Sequence, residues 1–228
     1  MRLSAHQPIY LGGYLGHFAK MAWCDQWIVF DVCPMEDSGF ENRQRILGPN
    51  GVQMLTVPIH RTRETRLDEV RVAGNSSWQR KHWRSIELGY QRAPHWGLYS
   101  GGLYTLLTRR WERLADLDIA LLRFFMEALG LSVPIRRASD MGLNGSKSNL
   151  VLDMVLKAGA TEYLFGTHGQ DYAYLAAFEE AGIKVSFQTY EHPTYPQLKP
   201  GFTSHMSVLD LLMNVGPDSL NVLTGGAK

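Results

Sequence analysis

Apolar and polar positions change period several times along the chain, and each change marks an element. RLSA is a short strand, HQPIYLGG a loop interrupted by Pro and Gly, and YLGHFAKMAWC carries apolar residues at helical spacing. QWIVFD follows as a buried strand, so strand, loop, helix and strand fit within about thirty residues, the size of a βαβ unit with a right-handed crossover. FENRQRIL and VQMLTVPI flank a PNG turn and predict a hairpin, and LDEVRVA adds a further strand. From Ser76 to Gly130 helix formers dominate, in SSWQRKHWRSIELGYQRA, HWGLYSGGLYTLLTRR and WERLADLDIALLRFFMEALG. In the last stretch Leu114, Leu117, Leu121 and Phe124 recur at three and four, and Leu122, Phe125 and Leu129 widen the stripe into a largely buried helix.

The remaining hundred residues alternate again. VPIRRAS reads as strand, SKSNLVLDMVLKAG as helix closed by Gly159, EYLFG as strand, YAYLAAFEEAG as helix closed by Gly182, and KVSFQTY as strand. This is the grammar of an α/β fold: a mostly parallel, Rossmann-like sheet with helices on both faces, a hairpin and a helical middle section. Residues 1–228 read as one α/β domain in which 76–132 is a helical insertion or subdomain, and the closing TGGAK as a frayed tail.

Sheets of this kind bind ligands beyond the carboxyl ends of their strands, which here means the HQP loop and the residues after Asp31. His6 and Gln7 lie in that loop and Asp31 ends the neighbouring strand. A histidine held by a carboxylate can act as a general base; the other reading is a His that closes the loop and an Asp that caps a turn. Asn42 and Arg43 offer donors to an oxyanion, carboxylate or phosphate, or else face solvent on the hairpin. Strand alternation lets only one of them point inward, unless the strand starts later. In NGSKSN the start of a helix, with Lys147 and Ser148, suits an anion, whereas Ser146 or Asn144 as an ordinary cap is the alternative. The spacing is not that of a GxxxxGK(S/T) loop. YEHPTYPQLKPGF, with His192, Tyr195 and Gln197, reads as a substrate-binding flap or a structural surface loop, braced by Asp210 and Asn214 from a short helix.

Composition narrows the classes. With 23 basic and 22 acidic residues, no nucleic acid or anionic membrane partner is indicated. No apolar run approaches a membrane span and no signal sequence opens the chain, so a cytoplasmic protein is expected. Cys24 and Cys33 are too few and too far apart for a disulfide framework or a CxxC motif and read as reduced thiols. The eight histidines lack metal-ligand spacing, so no metal site is expected.

Read together, HQPIYLGGYLGHFAKMAWCD, FENRQRI, YEHPTYPQL and FTSHMSVLDLLMNVGP resemble the WbqC-like family of bacterial proteins over nearly the whole chain. His6, Gln7, Pro8, Tyr10, Asp31, Asn42, Arg43, Gly166, Tyr195, Gln197, Ser207, Asp210 and Asn214 occupy the family's positions. Gly12 and Gly13 stand where Pro and Trp are usual, Pro34 and Met35 where Gln and an aromatic are usual, and Gln170 replaces a common basic residue. Members recur among genes for surface polysaccharides and specialised metabolites whose amino groups carry small acids or amino acids. The resemblance implies a transferase forming an amide between a small acyl or aminoacyl group and an amine of an amino sugar or metabolite. It implies a donor held as a thioester on a phosphopantetheine arm of an acyl or peptidyl carrier protein, with no tightly bound cofactor. His6 would be the base, oriented by Asp31, and Tyr10 a substrate contact. Gly16-His17 is similar to the end of the HxGH loop of nucleotidylyltransferases, with Tyr14 where the first His belongs; that alternative would use His6, His17 and Lys147 as phosphate ligands. A non-catalytic sugar-binding protein, consistent with six Trp and ten Tyr, is the third reading.

Overall fold

The opening βαβ unit forms as its pattern predicts. β1 (Arg2–His6) runs into α1 (Leu15–Ala22), and β2 (Gln26–Val29) returns parallel to β1 with Leu3 opposite Gln26 and His6 opposite Val29. The structure is a computed structural model and describes residues 1–74, 77–167, 169–171 and 173–225. Ser76 at the predicted start of the helical section, Tyr172 at that of the AAFEE helix, and the tail from Gly226 lie outside the described residues.

Three later strands complete the sheet. β7 (Ile135–Arg137) pairs with the outer edge of β2, β8 (Glu162–Phe165) with the free side of β1, and β9 (Lys184–Phe187) with β8, all parallel. The spatial order is β7-β2-β1-β8-β9. The chain therefore steps outward from β1 to β2 to β7, then crosses to the other side of β1 and continues outward. This reversal makes the gap between the carboxyl ends of β1 and β8 the topological switch point of a Rossmann-like α/β fold.

Right-handed crossovers place α1 on one face, and α5 (Lys147–Lys157) and α6 (Leu175–Glu180) on the other. Strand alternation feeds both. Trp27 and Val29 join Leu15, Phe18 and Met21 in one apolar cluster, while Leu3, Ala5, Ile28 and Phe165 join Met154, Val155 and Phe178 in a second. Gly159 and Gly182, each at positive φ, stop α5 and α6 as expected.

Between β2 and β7 lie the hairpin β3 (Arg43–Gly48) and β4 (Gly51–Thr56), turning at Pro49-Asn50, and a ribbon of β5 (Ile59–His60) with β6 (Arg71–Val72). LDEVRVA thus supplies a strand of only two residues. The helical section is α2 (Ser77–Tyr90), α3 (Trp96–Thr108) and α4 (Leu114–Leu129). Leu114, Leu117, Leu121 and Phe125 of α4 are fully buried and share the first cluster with Phe18 and Trp27; Phe124 sits at its margin. The closing helices α7 (Val208–Val215) and α8 (Ser219–Thr224) join the same cluster, α7 capped by the Ser207 hydroxyl, which accepts from the Leu209 amide at 3.1 Å. Among the described residues no helix is long and apolar enough to cross a membrane.

Candidate functional site

His6 ends β1 and stands at the switch point. Its Nδ1 lies 2.9 Å from the Gln7 carbonyl oxygen. A carbonyl can only accept, which assigns the proton to Nδ1 and leaves a lone pair on Nε2. The His17 ring from α1 packs edge-on against His6 at 4.0 Å, with Tyr14 against His17 at 4.5 Å. One turn further, buried Lys20 donates to the Ala5 carbonyl at 3.0 Å and lies 5.1 Å from the centre of the Trp27 ring. A β-carbon at Gly166, just after β8, would lie 3.8 Å from the Lys20 Nζ, an ordinary van der Waals contact.

Burial disfavours the charged form of all three bases. It pushes His6 down to about 4, helped by Lys20 and opposed by the Gln7 carbonyl. His17 is held well below the usual range by burial, then by His6 and Lys20. Lys20 falls to about 8. At neutral pH the cluster presents two neutral imidazoles beside an amine close to its own titration.

The expected partner of His6 is elsewhere. Asp31 is fully buried, and its oxygens accept from Arg137 Nε at 2.7 Å, Ser139 Oγ at 2.9 Å and the Ser139 amide at 2.9 Å. Asp31 therefore clasps the end of β2 to the end of β7 and does not orient the histidine; the Gln7 carbonyl does. Arg137 in turn bonds Asp116 at 2.7 Å. Tyr10 is fully buried in a 3-10 turn with its hydroxyl 2.8 Å from His82 Nδ1. Gln7 does reach into the crevice region, its amide donating to Cys33 Sγ at 3.2 Å.

Two buried acids below this loop were missed by the sequence reading. Asp118 of α4 is 1% exposed and Glu41 2%, and neither Asp118 oxygen nor Glu41 Oε2 has a hydrogen-bond partner among the described residues. Burial, then Glu41, holds the Asp118 carboxyl well above the usual range, and burial raises Glu41 too. A signal existed: Asp118 interrupts the apolar stripe of LADLDIALL on its inward side. The same physics disfavours the thiolate form of both cysteines, burial pushing Cys24 up to about 12 and Cys33 to about 11.

β3 starts at Arg43, so Asn42 lies in the preceding turn and the alternation argument does not separate the pair. Both line a cleft of about 450 Å³ with Met35, Thr56, Arg61 and Arg63. Asn42 donates to the Val57 carbonyl and Arg43 Nε to the Gly39 carbonyl, each at 2.9 Å. At the start of α5, Lys147 is exposed with φ +51°, whereas Ser148 is buried and its hydroxyl accepts from the Tyr174 amide at 3.0 Å. Neither Ser146 nor Asn144 provides a side-chain cap there.

The expected flap is braced rather than open. Tyr195 and Gln197 both donate to buried Asp210, at 2.9 and 2.7 Å, which realises the bracing role given to Asp210 and makes the two donors struts, not free substrate contacts. Asn214 donates to the Asp210 carbonyl at 2.7 Å. Both ring nitrogens of His192 are engaged, Nδ1 with the Pro193 carbonyl at 2.8 Å and Nε2 with the His205 amide at 3.2 Å. Among the described residues, no three His, Cys, Asp or Glu side chains are placed to hold a metal ion.

Comparison with known proteins agrees with these motifs. A protein of Mycobacterium tuberculosis (strain ATCC 25618 / H37Rv), named Uncharacterized protein Rv1507c, is 30% identical over 217 residues, 91% of each chain. The family model described as the WbqC-like protein family matches residues 7–222. The chain belongs to the WbqC-like protein family.

Proposed function

We propose that this protein is a transferase that joins a small acyl or aminoacyl group to an amine of an amino sugar or specialised metabolite. The observation that carries the reading is His6. It stands at the switch point of a parallel sheet, with its tautomer fixed by Gln7 and its Nε2 lone pair free for a proton. In the proposed step the amine nitrogen bonds to the thioester carbonyl carbon, the carbon–sulfur bond breaks, and the thiolate departs. The amine proton passes to His6 Nε2 and then to the thiolate. A base pushed down to about 4 is weak but wholly unprotonated at neutral pH, and the ammonium formed on attack is acidic enough to need no stronger one. The donor is a thioester on a phosphopantetheine arm, so its carrier protein is a partner and no resident cofactor enters the scheme.

Nucleotidylyl transfer is the second reading, favoured by the ring contact of His6 and His17 between the first strand and first helix. The test incubates candidate amines with thioester donors and, separately, with nucleoside triphosphate and magnesium, reading the product by intact mass. Acylated amine supports amide formation; a nucleotidylated product with pyrophosphate release supports the second reading. His6→Gln should lower turnover by roughly two to four orders of magnitude with little change in Tm. Wild-type rates in that variant would remove His6 from the mechanism, and ligand binding without turnover would favour a sugar-binding protein.

A further inference from the structure

We propose that Arg43, Arg61 and Arg63 form a binding site for a dianionic phosphoryl group, carried by a donor or acceptor as a phosphate monoester or diphosphate. The chain as a whole is nearly neutral, with 23 basic and 22 acidic residues. Three guanidiniums lining one cleft of about 450 Å³ are therefore a local concentration that bulk charge does not explain. Like charges brought together raise the energy of the empty cleft and lower that of a cleft holding an anion.

Each arginine is positioned differently. Arg43 spends Nε on the Gly39 carbonyl, which leaves its two terminal nitrogens for the cleft. Arg61 is mostly buried and is fixed by Asp37, whose own side chain is 73% exposed. Arg63 is exposed, and its charge, with that of Arg61, acts on Asp37. Asp37 is the single carboxylate among the lining residues, so three cations against it leave two positive charges, matching a phosphate dianion. The planar fork of arginine suits two oxygens of one phosphoryl group, and Asn42 and Thr56 add neutral groups to the wall.

The cleft also lies close to the switch point. Met35 lines it, and Cys33, two residues earlier, accepts from Gln7 beside His6. The exposed Lys147 on α5, the anion site expected from sequence, is not among the residues lining this cleft. The arginine site goes beyond the proposed reaction, since it stands for any substrate whose phosphate is distant from the reacting atoms.

Calorimetric titration of the intact protein with inorganic pyrophosphate, 4′-phosphopantetheine and uridine diphosphate tests the site without turnover, so failure of the amide-forming reading leaves the result unaffected. One equivalent of pyrophosphate should bind, less tightly as salt is raised. Arg43→Gln and Arg63→Gln should each weaken binding roughly tenfold to a hundredfold. Arg63 is exposed and its interaction with the exposed Asp37 is screened by solvent, so its variant keeps the wild-type Tm and separates binding from folding; Arg43→Lys, with charge but no fork, should fall between. Tighter binding of phosphopantetheine or of the nucleotide identifies the source of the phosphate, and either supports the site. Binding that survives both glutamine variants, is lost instead with Lys147→Ala, favours succinate over pyrophosphate, or is absent for all three probes at low salt overturns it.

Discussion

Replacing Asp118 with asparagine should stabilise the protein, by an amount that grows with pH. The carboxyl is 1% exposed, neither oxygen has a hydrogen-bond partner among the described residues, and burial followed by Glu41 holds its pKa well above the usual range. A carboxyl with a raised folded-state pKa keeps its proton in the folded chain when the unfolded chain has lost it. Below about pH 3.9 both states are protonated and nothing is lost. Above that, stability falls by about 1.4 kcal/mol per pH unit until the folded-state pKa is passed. Between pH 4 and 7 the loss is thus capped at about 4 kcal/mol, and at about 2 to 4 °C per kcal/mol for a chain of this size the cap corresponds to roughly 8 to 16 °C. Asparagine has nearly the volume of a protonated aspartic acid and no proton to lose, so it removes this slope while leaving the packing. Thermal and urea unfolding of both proteins at pH 4, 5, 6 and 7 measures it. The two should nearly coincide at pH 4 and separate steadily above. Parallel stability profiles would refute the argument, and a variant less stable at pH 7 would mean that Asp118 is ionised and satisfied. Glu41 contributes a slope of the same sign to both proteins and cancels in the difference.

Two further outcomes rest on local geometry. With Cys33 pushed up to about 11 and Cys24 to about 12, roughly one Cys33 thiol in a thousand is ionised at pH 8; a thiol reagent should label both only on unfolding, and rapid native labelling of Cys33 would contradict this. Gly13 has φ +79° and ψ −160°, a region essentially reserved for glycine, and a β-carbon there would meet His17 Nδ1 at 2.6 Å. Gly13→Ala should therefore destabilise by about 1 to 3 kcal/mol, and an unchanged Tm would show that the loop accommodates the methyl.

What could be read in the sequence was local. The hairpin at Pro49-Asn50, the helix stops at Gly159 and Gly182, and the opening βαβ unit follow from turn chemistry and period, and all form. The pairing of His6 with Asp31 rested on adjacency of strand ends, and failed because Asp31 finds Arg137 and Ser139, 106 and 108 residues later. No period or spacing encodes such a partner. Tyr10 is placed with the substrate by the family resemblance, but its ring is carried into the core beside α4 and its hydroxyl is taken by His82. Asn42 and Arg43 share a cleft because the strand begins three residues later than FENRQRIL suggests. That boundary is set by tertiary packing, not by propensity.

The strand order also dictates when this protein can become itself during synthesis. Of the five strands of the sheet β1 is made first, yet it is the central strand: its partner β8 follows some 160 residues later, and the Met1 ammonium finds Thr161 at that same distance. Until then one edge of β1 has no backbone partner, and β2 awaits β7 across the whole hairpin and helical section. Pairing so remote in sequence is slow, because chain closure precedes any contact that rewards it. A nascent chain halted before β8 holds an apolar open-edged sheet, the kind of surface that chaperones cover and that neighbouring chains can pair with.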